Sequence, residues 1–487
     1  MTLKQKPAPG CRAAALVLML GALPAATLPA ATLLATTLPA MAQSAFPPPV
    51  TQTGSFRVAP TTPDQPIYPG STVVLSGQGL VPGQAITLQR GPDSLTGDAP
   101  LTADAEGALA FEFTLPETAA VGMHPIVVLG SAPSTTDLLD LKISPRVPLS
   151  GAQEYDITSV KSPAPGLYQL AYSPSAGALF VTASSFRPMA AEILKLDPRT
   201  LGVIACTTPA PYPEALRTTE GGRFADAPAA AFGIGLDEAR GHVWVTNTAS
   251  NSVAVYAADD LRLIRQFPQG QVYHSREVLV DAASDRVFVT SSATAKVHVF
   301  DAETLEPRQI IEIDSSLRGE NFYVMNMALD AAGGRLFVTS RATSELAVID
   351  TQTAEVTQVF ALPGAIHATG VAYDPDSGLV FVAGQGSDDL LLVDPDTGDV
   401  RHDVPVGAGA LSVGFDAANG LAWVVNRGAG TITAVGRDGT IAANLDLGSY
   451  PNDVTATRDG TVYAVNKSFG AQDARGDLIS VIRPRQD

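Results

Sequence analysis

Three stretches of the sequence decide the fold: RVFVTSSATAKVHVFDAETLEP at 286–307, RLFVTSRATSELAVIDTQTAEV at 335–356 and LVFVAGQGSDDLLLVDPDTGDV at 379–400. Each has an aromatic residue inside a run of β-forming residues, and a second such run ends near an Asp. The aromatic position recurs seven times, at Phe180, Trp244, Phe288, Phe337, Phe381, Trp423 and Tyr463. Self-similarity at a fixed period predicts a repeat architecture, so we expect seven equivalent units.

The first six units each contain four short β-rich runs, for example REVLVD, RVFVTS, KVHVFD and RQIIEI, which is the strand content of one propeller blade. The seventh unit has only three runs. A further run, EYDITSVKS at 154–162, stands before the first unit. We expect this early strand to complete the last blade, because pairing the two ends of the chain removes an open sheet edge.

These units resemble the YVTN-type repeat of the YncE-like β-propellers over about two thirds of the chain. The resemblance implies an all-β fold with a closed seven-bladed propeller at 150–487. It implies little about function, because the repeat residues build the blades and members of the family differ in what they bind. The first unit departs from the pattern with Ser173 in place of the recurring Asp.

The N-terminal segment has the layout of a secretory signal peptide over residues 1–42. Lys4, Lys6 and Arg12 precede an apolar run, and Ala40-Met41-Ala42 forms a small-residue cleavage pattern. An uncleaved anchor is the alternative. No later run is long and apolar enough to predict a transmembrane helix. Residues 43–55 are predicted to be a linker, and we expect a periplasmic or extracellular protein.

Residues 56–145 alternate short β-rich runs with Gly, Pro and Asp turns, which predicts a β-sandwich. The segments GQGLVPGQAITLQ at 77–89 and TADAEGALAFEFTLPETAAVGMHPI at 102–126 resemble bacterial extracellular Ig-like modules. That resemblance implies a spacer or adhesive role. The complete predicted fold is therefore an N-terminal Ig-like sandwich followed by the propeller.

The net charge is −18, with 31 basic and 49 acidic residues. A negative surface repels phosphate backbones, so nucleic acid is an unfavoured partner. Single-stranded nucleic-acid binding, which some YncE-like relatives imply, needs a basic groove with aromatic residues and fits this charge poorly. Cys206 is the only cysteine beyond Cys11 of the leader, so an intramolecular disulfide in the mature chain is excluded.

In a propeller, the loops joining the second to the third strand of a blade share one face with the loops between blades. Some units of this chain are longer than the standard repeat, and their extra residues fall in such loops. Extra residues confined to one face predict that this face binds a ligand or a partner. Cations recur at one loop position and predict an anionic ligand such as a carboxylate or phosphate. Alternatively, each cation pairs with Glu345, Asp388 or Asp389. The loop cations are Arg187, Arg341, Arg427 and Lys467, and the candidates near the rim are His274, Arg276, Tyr323, His367, Tyr450 and Asn452.

Glu277, Asn326 and Asp453 fall at one repeat position of the predicted innermost strands, so they should line the central funnel. Their oxygens suit Ca²⁺, Mg²⁺ or Mn²⁺. In residue type they are similar to the acid and amide set of the gluconolactonase propellers, which implies metal-dependent hydrolysis of a lactone or ester. The alternative is a solvated polar pore.

The sequence favours an exported, noncatalytic binding or scaffolding protein of the cell envelope, and its catalytic residues, if any exist, are unknown. We expect a monomer without a resident cofactor, whose partner is an unknown protein or a small anionic ligand. The metal-dependent lactonase or esterase, with a divalent cation, stays open as the alternative.

Overall fold

The computed structural model describes residues 54–186, 189–211 and 230–485. The predicted signal peptide at 1–42 lies outside these residues, as do all but the last two positions of the predicted linker. Arg187 also lies outside them. Within the described ranges, no helix is long and apolar enough to cross a membrane.

Residues 55–143 form two antiparallel sheets, here called the N-terminal sheet pair. One sheet has the order β1-β2-β6, and the other has the order β4-β3-β7-β8 with β5 paired to β3. The strands are β1 (Ser55–Pro60), β2 (Thr72–Gln78), β3 (Ala85–Arg90), β4 (Asp93–Ser94), β5 (Leu101–Thr102), β6 (Leu109–Thr114), β7 (Gly122–Ser131) and β8 (Thr135–Ile143).

Alternation of buried and more exposed residues builds the core of this sheet pair. Val73 and Leu75 of β2 are fully buried, as are Ile86 and Leu88 of β3, while the residues between them are less buried. Successive side chains of a strand point to opposite faces, so each strand turns one apolar face inward. Residues of both sheets belong to one hydrophobic cluster.

The rest of the described chain forms seven four-stranded antiparallel sheets, here called repeat sheets 1 to 7. Two 3-10 helices, η1 (Ala152–Glu154) and η2 (Thr248–Ser250), lie between strands. Sheets 1 to 3 contain β10 (Leu167–Ser173), β11 (Ala178–Phe186), β12 (Met189–Leu196) and β13 (Val203–Thr207); β14 (Ile234–Asp237), β15 (His242–Asn247), β16 (Ser252–Ala257) and β17 (Leu263–Gln266); β18 (Ser275–Asp281), β19 (Arg286–Ser291), β20 (Lys296–Asp301) and β21 (Pro307–Glu312).

The remaining four repeat sheets follow the same order along the chain. Sheets 4 to 6 contain β22 (Val324–Asp330), β23 (Arg335–Ser340), β24 (Glu345–Asp350) and β25 (Glu355–Ala361); β26 (Ala368–Tyr373), β27 (Val380–Gly384), β28 (Asp389–Val393) and β29 (Val400–Pro405); β30 (Ala410–Asp416), β31 (Leu421–Asn426), β32 (Thr431–Gly436) and β33 (Ile441–Asp446). Sheet 7 contains β34 (Pro451–Ala456), β35 (Val462–Asn466), β36 (Leu478–Pro484) and β9 (Tyr155–Lys161).

The prediction that the early strand completes the last sheet is confirmed, because β9 pairs antiparallel with β36 from Lys161 opposite Leu478 to Tyr155 opposite Pro484. The first strand of each repeat sheet contacts the first strand of the next, and β34 of sheet 7 also contacts β10 of sheet 1. The recurring aromatic residues are buried, as the repeat predicts. All seven are between 0% and 4% exposed.

The N-terminal sheet pair is held against repeat sheets 5 and 6. Lys142 Nζ lies 2.5 Å from Asp388 Oδ1 and donates to the Gln385 carbonyl at 2.9 Å. Asn444 Nδ2 donates to the Val147 carbonyl at 3.0 Å. The segment around residues 145–148 is therefore attached to sheet 6 by side-chain hydrogen bonds.

Candidate functional site

The first strands of six repeat sheets, all but sheet 2, contain register shifts of the β-bulge kind that shape the site. Their pairing slips between residues 167 and 170, 275 and 278, and 451 and 453. A bulge re-aims side chains and interrupts the normal alternation of faces. Consecutive residues therefore contribute to adjacent layers of one site, as Tyr168 and Gln169, Arg276 and Glu277, and Asn452 and Asp453.

The outer layer, here called the mouth cluster, consists of Tyr168, Arg276, Arg427, Asn452 and Lys467. Lys467 Nζ lies 4.0 Å from the centroid of the Tyr168 ring, and Arg276 Nη1 donates to Tyr168 Oη at 2.6 Å. Arg427 Nη1 donates to Asn452 Oδ1 at 2.5 Å, and Asn452 Nδ2 donates to the Tyr168 carbonyl at 2.5 Å. Two cations thus contact Tyr168, and a third, Arg427, is joined to it through Asn452.

Within residues 54–186, 189–211 and 230–485, these three cations form no ion pair with a carboxylate. Burial lowers the pKa of Lys467 to about 7, and repulsion from Arg427 and Arg276 lowers it further, while Asp477 opposes the change. Burial also lowers the pKa of Arg427. Like charges crowded in a partly desolvated place favour the binding of an anion.

Four rim residues share an uncommon backbone conformation. His274, Tyr323, His367 and Tyr450 have φ values of 48°, 43°, 56° and 45°. For a residue other than glycine, the left-handed region costs roughly 1–2 kcal/mol. The backbone amides of loop residues in the same sheets donate hydrogen bonds to the carbonyl groups of these rim residues. Arg341 donates to Tyr323 in this way, and Lys467 donates to Tyr450. The repeat therefore holds the loop cations beside the rim.

The predicted rim residues divide into two groups. Arg427 reaches the neighbouring sheet, where its guanidinium lies 5.0 Å from the Tyr450 ring centroid and joins the rim to the mouth cluster. Arg341 is exposed. Burial lowers the pKa of His367, and the charges of Arg341 and Lys142 lower it further. Burial lowers the pKa of His274, and the charge of Arg276 in the mouth cluster lowers it further.

The alternative that loop cations pair with nearby acids is wrong for Arg341, Arg427 and Lys467. The Glu345 carboxylate instead accepts hydrogen bonds from Ser315, Ser316 and Thr343 at 2.5–2.6 Å. Asp388 pairs with Lys142, and Asp389 Oδ1 accepts from Ser387 Oγ at 2.7 Å. These three acids therefore accept hydrogen bonds from serine and threonine side chains or pair with Lys142 of the N-terminal sheet pair. The repeat pattern predicts neither kind of contact.

Beneath the mouth cluster lies a polar cavity of about 150 Å³, here called the central cavity. Residues from the first strand of every repeat sheet line it. The polar ones are Gln169, Glu277, Asn326, Ser412, Asp453 and Thr455. Glu277 Oε2 accepts from Gln169 Nε2 at 2.7 Å and from Asn326 Nδ2 at 2.8 Å. Asp453 accepts from Ser412 Oγ at 2.7 Å and from the Leu170 amide at 3.0 Å.

The two acids of the central cavity titrate near neutral pH. Burial raises the pKa of Glu277 to about 7, and the Asp453 charge raises it further, against hydrogen bonding from Gln169 and the charge of Arg276. Burial raises the pKa of Asp453 to about 6. The cavity therefore places two carboxyl groups, which ionise as the pH rises through about 6 to 7, directly below the positive mouth cluster.

Glu277, Asn326 and Asp453 all line the central cavity, but their arrangement does not fit a divalent cation. Asn326 turns its amide nitrogen toward Glu277, and its Oδ1 lies 3.5 Å from Arg276 Nε. Both Asp453 oxygens already accept hydrogen bonds. The described ranges contain no group of three His, Cys, Asp or Glu residues that could hold a metal ion.

Sequence reasoning missed Tyr168, around which the mouth cluster is organised. Tyr168 stands one residue before Gln169, just as Arg276 and Asn452 stand before Glu277 and Asp453. The alignment that selected Arg276 and Asn452 could therefore have selected Tyr168 as well.

No protein-family model matches the sequence, and the comparison with curated proteins finds no match. Virginiamycin B lyase from Staphylococcus aureus superposes with a TM-score of 0.51 at 13% identity, covering 68% of this chain and 99% of that chain. Hydrazine synthase from Kuenenia stuttgartiensis gives 0.52 at 15%, covering 63% and 94%. The Cps50 (Swd1) β-propeller domain from Myceliophteria thermophila gives 0.51 at 10%, covering 67% and 99%. These similarities show the fold alone: the chain is a β-propeller protein.

Proposed function

We propose that this protein is an exported, noncatalytic binding protein of the cell envelope that holds a small anionic ligand at the mouth cluster. The observation that carries the proposal is that Arg276 and Lys467 meet at Tyr168, with Arg427 joined to it through Asn452, without a carboxylate partner in the described chain. A buried charge is costly unless it is paired. An anionic ligand would supply the missing partner.

The proposal includes a closed seven-bladed YncE-like propeller over 150–487. Its support is the pairing of β9 with β36, the contact of β34 with β10, and a central cavity lined by all seven repeat sheets. Deleting residues 155–161 should expose the β36 edge and lower the free energy of unfolding of the whole propeller. An unchanged denaturation midpoint would contradict closure by β9.

The proposal also includes a signal peptide at 1–42, a linker at 43–55, an Ig-like module at 56–145, and a periplasmic or extracellular location. We propose that the module is a fixed spacer beside the binding face. Its support is the Lys142–Asp388 ion pair and a cavity of about 420 Å³ lined by Asp64, Arg427 and Tyr450. We also propose that a partner protein can bind at the same face. The protein itself is proposed to be a monomer.

Anion binding can be measured by titration calorimetry with phosphate, sulfate and acetate. Replacing Lys467 with Met removes one charge of the mouth cluster, and Lys296→Met is the matched control, because Lys296 pairs on the surface with Glu312 at 2.9 Å. A hydrogen bond to a charged group contributes about 1.5–3 kcal/mol, so we expect Lys467→Met to weaken binding by roughly tenfold or more.

The wild type and the Lys296→Met control should bind the anion alike, and added salt should weaken both. The proposal fails if the wild type binds none of the three anions, or if the two substitutions have the same effect. The metal-dependent lactonase has less support because the central cavity is internally hydrogen bonded. Stoichiometric metal in protein purified without chelator would favour that alternative instead.

A further inference from the structure

We infer that the ligand is a small zwitterion, an α-amino acid with a short side chain, whose carboxylate meets the mouth cluster and whose ammonium group enters the central cavity. The inference rests on the proposed function, because it assigns the anionic end of the ligand to Arg276, Arg427 and Lys467. It adds a second recognition element of opposite charge.

Neighbouring residues of the same strands contribute to the mouth cluster and to the central cavity. Arg276 precedes Glu277, and Asn452, the hydrogen-bond partner of Arg427, precedes Asp453. One residue of strand spans about 3.3 Å. A carboxylate and an ammonium group on one carbon atom are separated by a distance of the same order, so one small molecule can reach both layers.

Glu277 offers an acceptor that the protein leaves open. Its Oε2 receives both hydrogen bonds, from Gln169 and Asn326, whereas Oε1 accepts none from the described residues. An ammonium group brings three donors and no acceptor, which suits a cavity lined by carboxylate, amide and hydroxyl oxygens. The cavity volume of about 150 Å³ restricts the ligand to a small molecule.

A ligand with a single charge would complement only one layer. An anion would satisfy the mouth cluster but would lie above Glu277 and Asp453. An amine would satisfy those acids but would have to pass three cations. The other charged group acting on the mouth cluster is Asp477, which affects Lys467. A zwitterion complements both layers, and opposite charges aligned in this way favour its binding over either fragment.

The test compares three probes of similar size by titration calorimetry: alanine, propionate, which lacks the amine, and ethylamine, which lacks the carboxylate. The wild type should bind alanine about tenfold more tightly than propionate, as expected for one added charge-assisted hydrogen bond, and should bind ethylamine weakest. In the Glu277→Gln variant, the affinity for alanine should fall to the affinity for propionate. The affinity for propionate should not fall below that of the wild type. Glu312→Gln, an exposed acid paired with Lys296, is the control and should behave as the wild type.

Each outcome decides the inference. Equal affinity of the wild type for alanine and propionate overturns the zwitterion while the proposed anion site stands. A Glu277→Gln variant that still prefers alanine also overturns it. If alanine does not bind but phosphate, sulfate or acetate does, the inference again fails and the proposed function survives. If no anion binds at all, both fail.

Discussion

Replacing Glu277 with Gln should stabilise the protein at alkaline pH, because the folded state ionises this carboxyl group only at a cost. Burial and the Asp453 charge raise the pKa of Glu277 from 4.5 to about 7. One pKa unit corresponds to about 1.4 kcal/mol, so ionised Glu277 lowers the free energy of unfolding by about 3 kcal/mol above pH 7. Gln169 and Asn326 can still donate to the amide oxygen of the replacement.

The sign follows from where the proton is bound. Between pH 4.5 and about 7 the folded state keeps the Glu277 proton while the unfolded chain has released it. The contribution of Glu277 to stability is therefore complete below pH 4.5 and is lost as the pH rises through about 7. The variant lacks this dependence, so its advantage over the wild type should grow from under about 1 kcal/mol near pH 5 to about 2–3 kcal/mol near pH 8.

Urea denaturation followed by tryptophan fluorescence at both pH values measures this difference. Comparing variant with wild type cancels the titration of groups that do not interact with Glu277. Glu312→Gln is the matched control, because the Glu312 side chain is 68% exposed, and it should give nearly the same difference at both pH values. A Glu277→Gln variant that is no more stable than the wild type near pH 8 would refute the reasoning.

Two further substitutions test the packing around the site. Gly233→Ala should lower the free energy of unfolding by about 1–3 kcal/mol, because the new Cβ would lie 1.8 Å from the Arg276 carbonyl oxygen. In Gly470→Ala, the control, the new Cβ would have no atom within 4 Å, so thermal denaturation should change little. Lys142→Met should lower it by about 1–3 kcal/mol and speed tryptic cleavage near residues 145–149, because Asp388 is 1% exposed and would lose its ion pair. Unchanged cleavage would show that the N-terminal sheet pair is held by other contacts.

The sequence predicted the repeat sheets well because the fold depends on a local period. The aromatic residue of each unit, such as Phe288, lies in a sheet core, and the spacing of the runs identifies four strands per unit. Even the pairing of β9 with β36 could be predicted, because the last unit lacked a strand and the chain before the first unit supplied one.

The candidate site was predicted only in part, for two physical reasons. The repeat position selected Arg427 and Lys467 and could have selected Tyr168, but a repeat position says only that residues are equivalent, not which side chains meet across sheets, as Lys467 meets Tyr168. The second reason is sequence separation. The ion pair of Lys142 with Asp388 joins residues 246 positions apart and leaves no signal in either local pattern.

The central claim is that the mouth cluster holds an anion, and a crystal soaked in bromide tests it most directly. The anomalous difference map should show a bromide ion among Arg276, Arg427 and Lys467, within hydrogen-bonding reach of at least two of them. A map without bromide there, or one in which a carboxylate of the protein already occupies that place, would contradict the account.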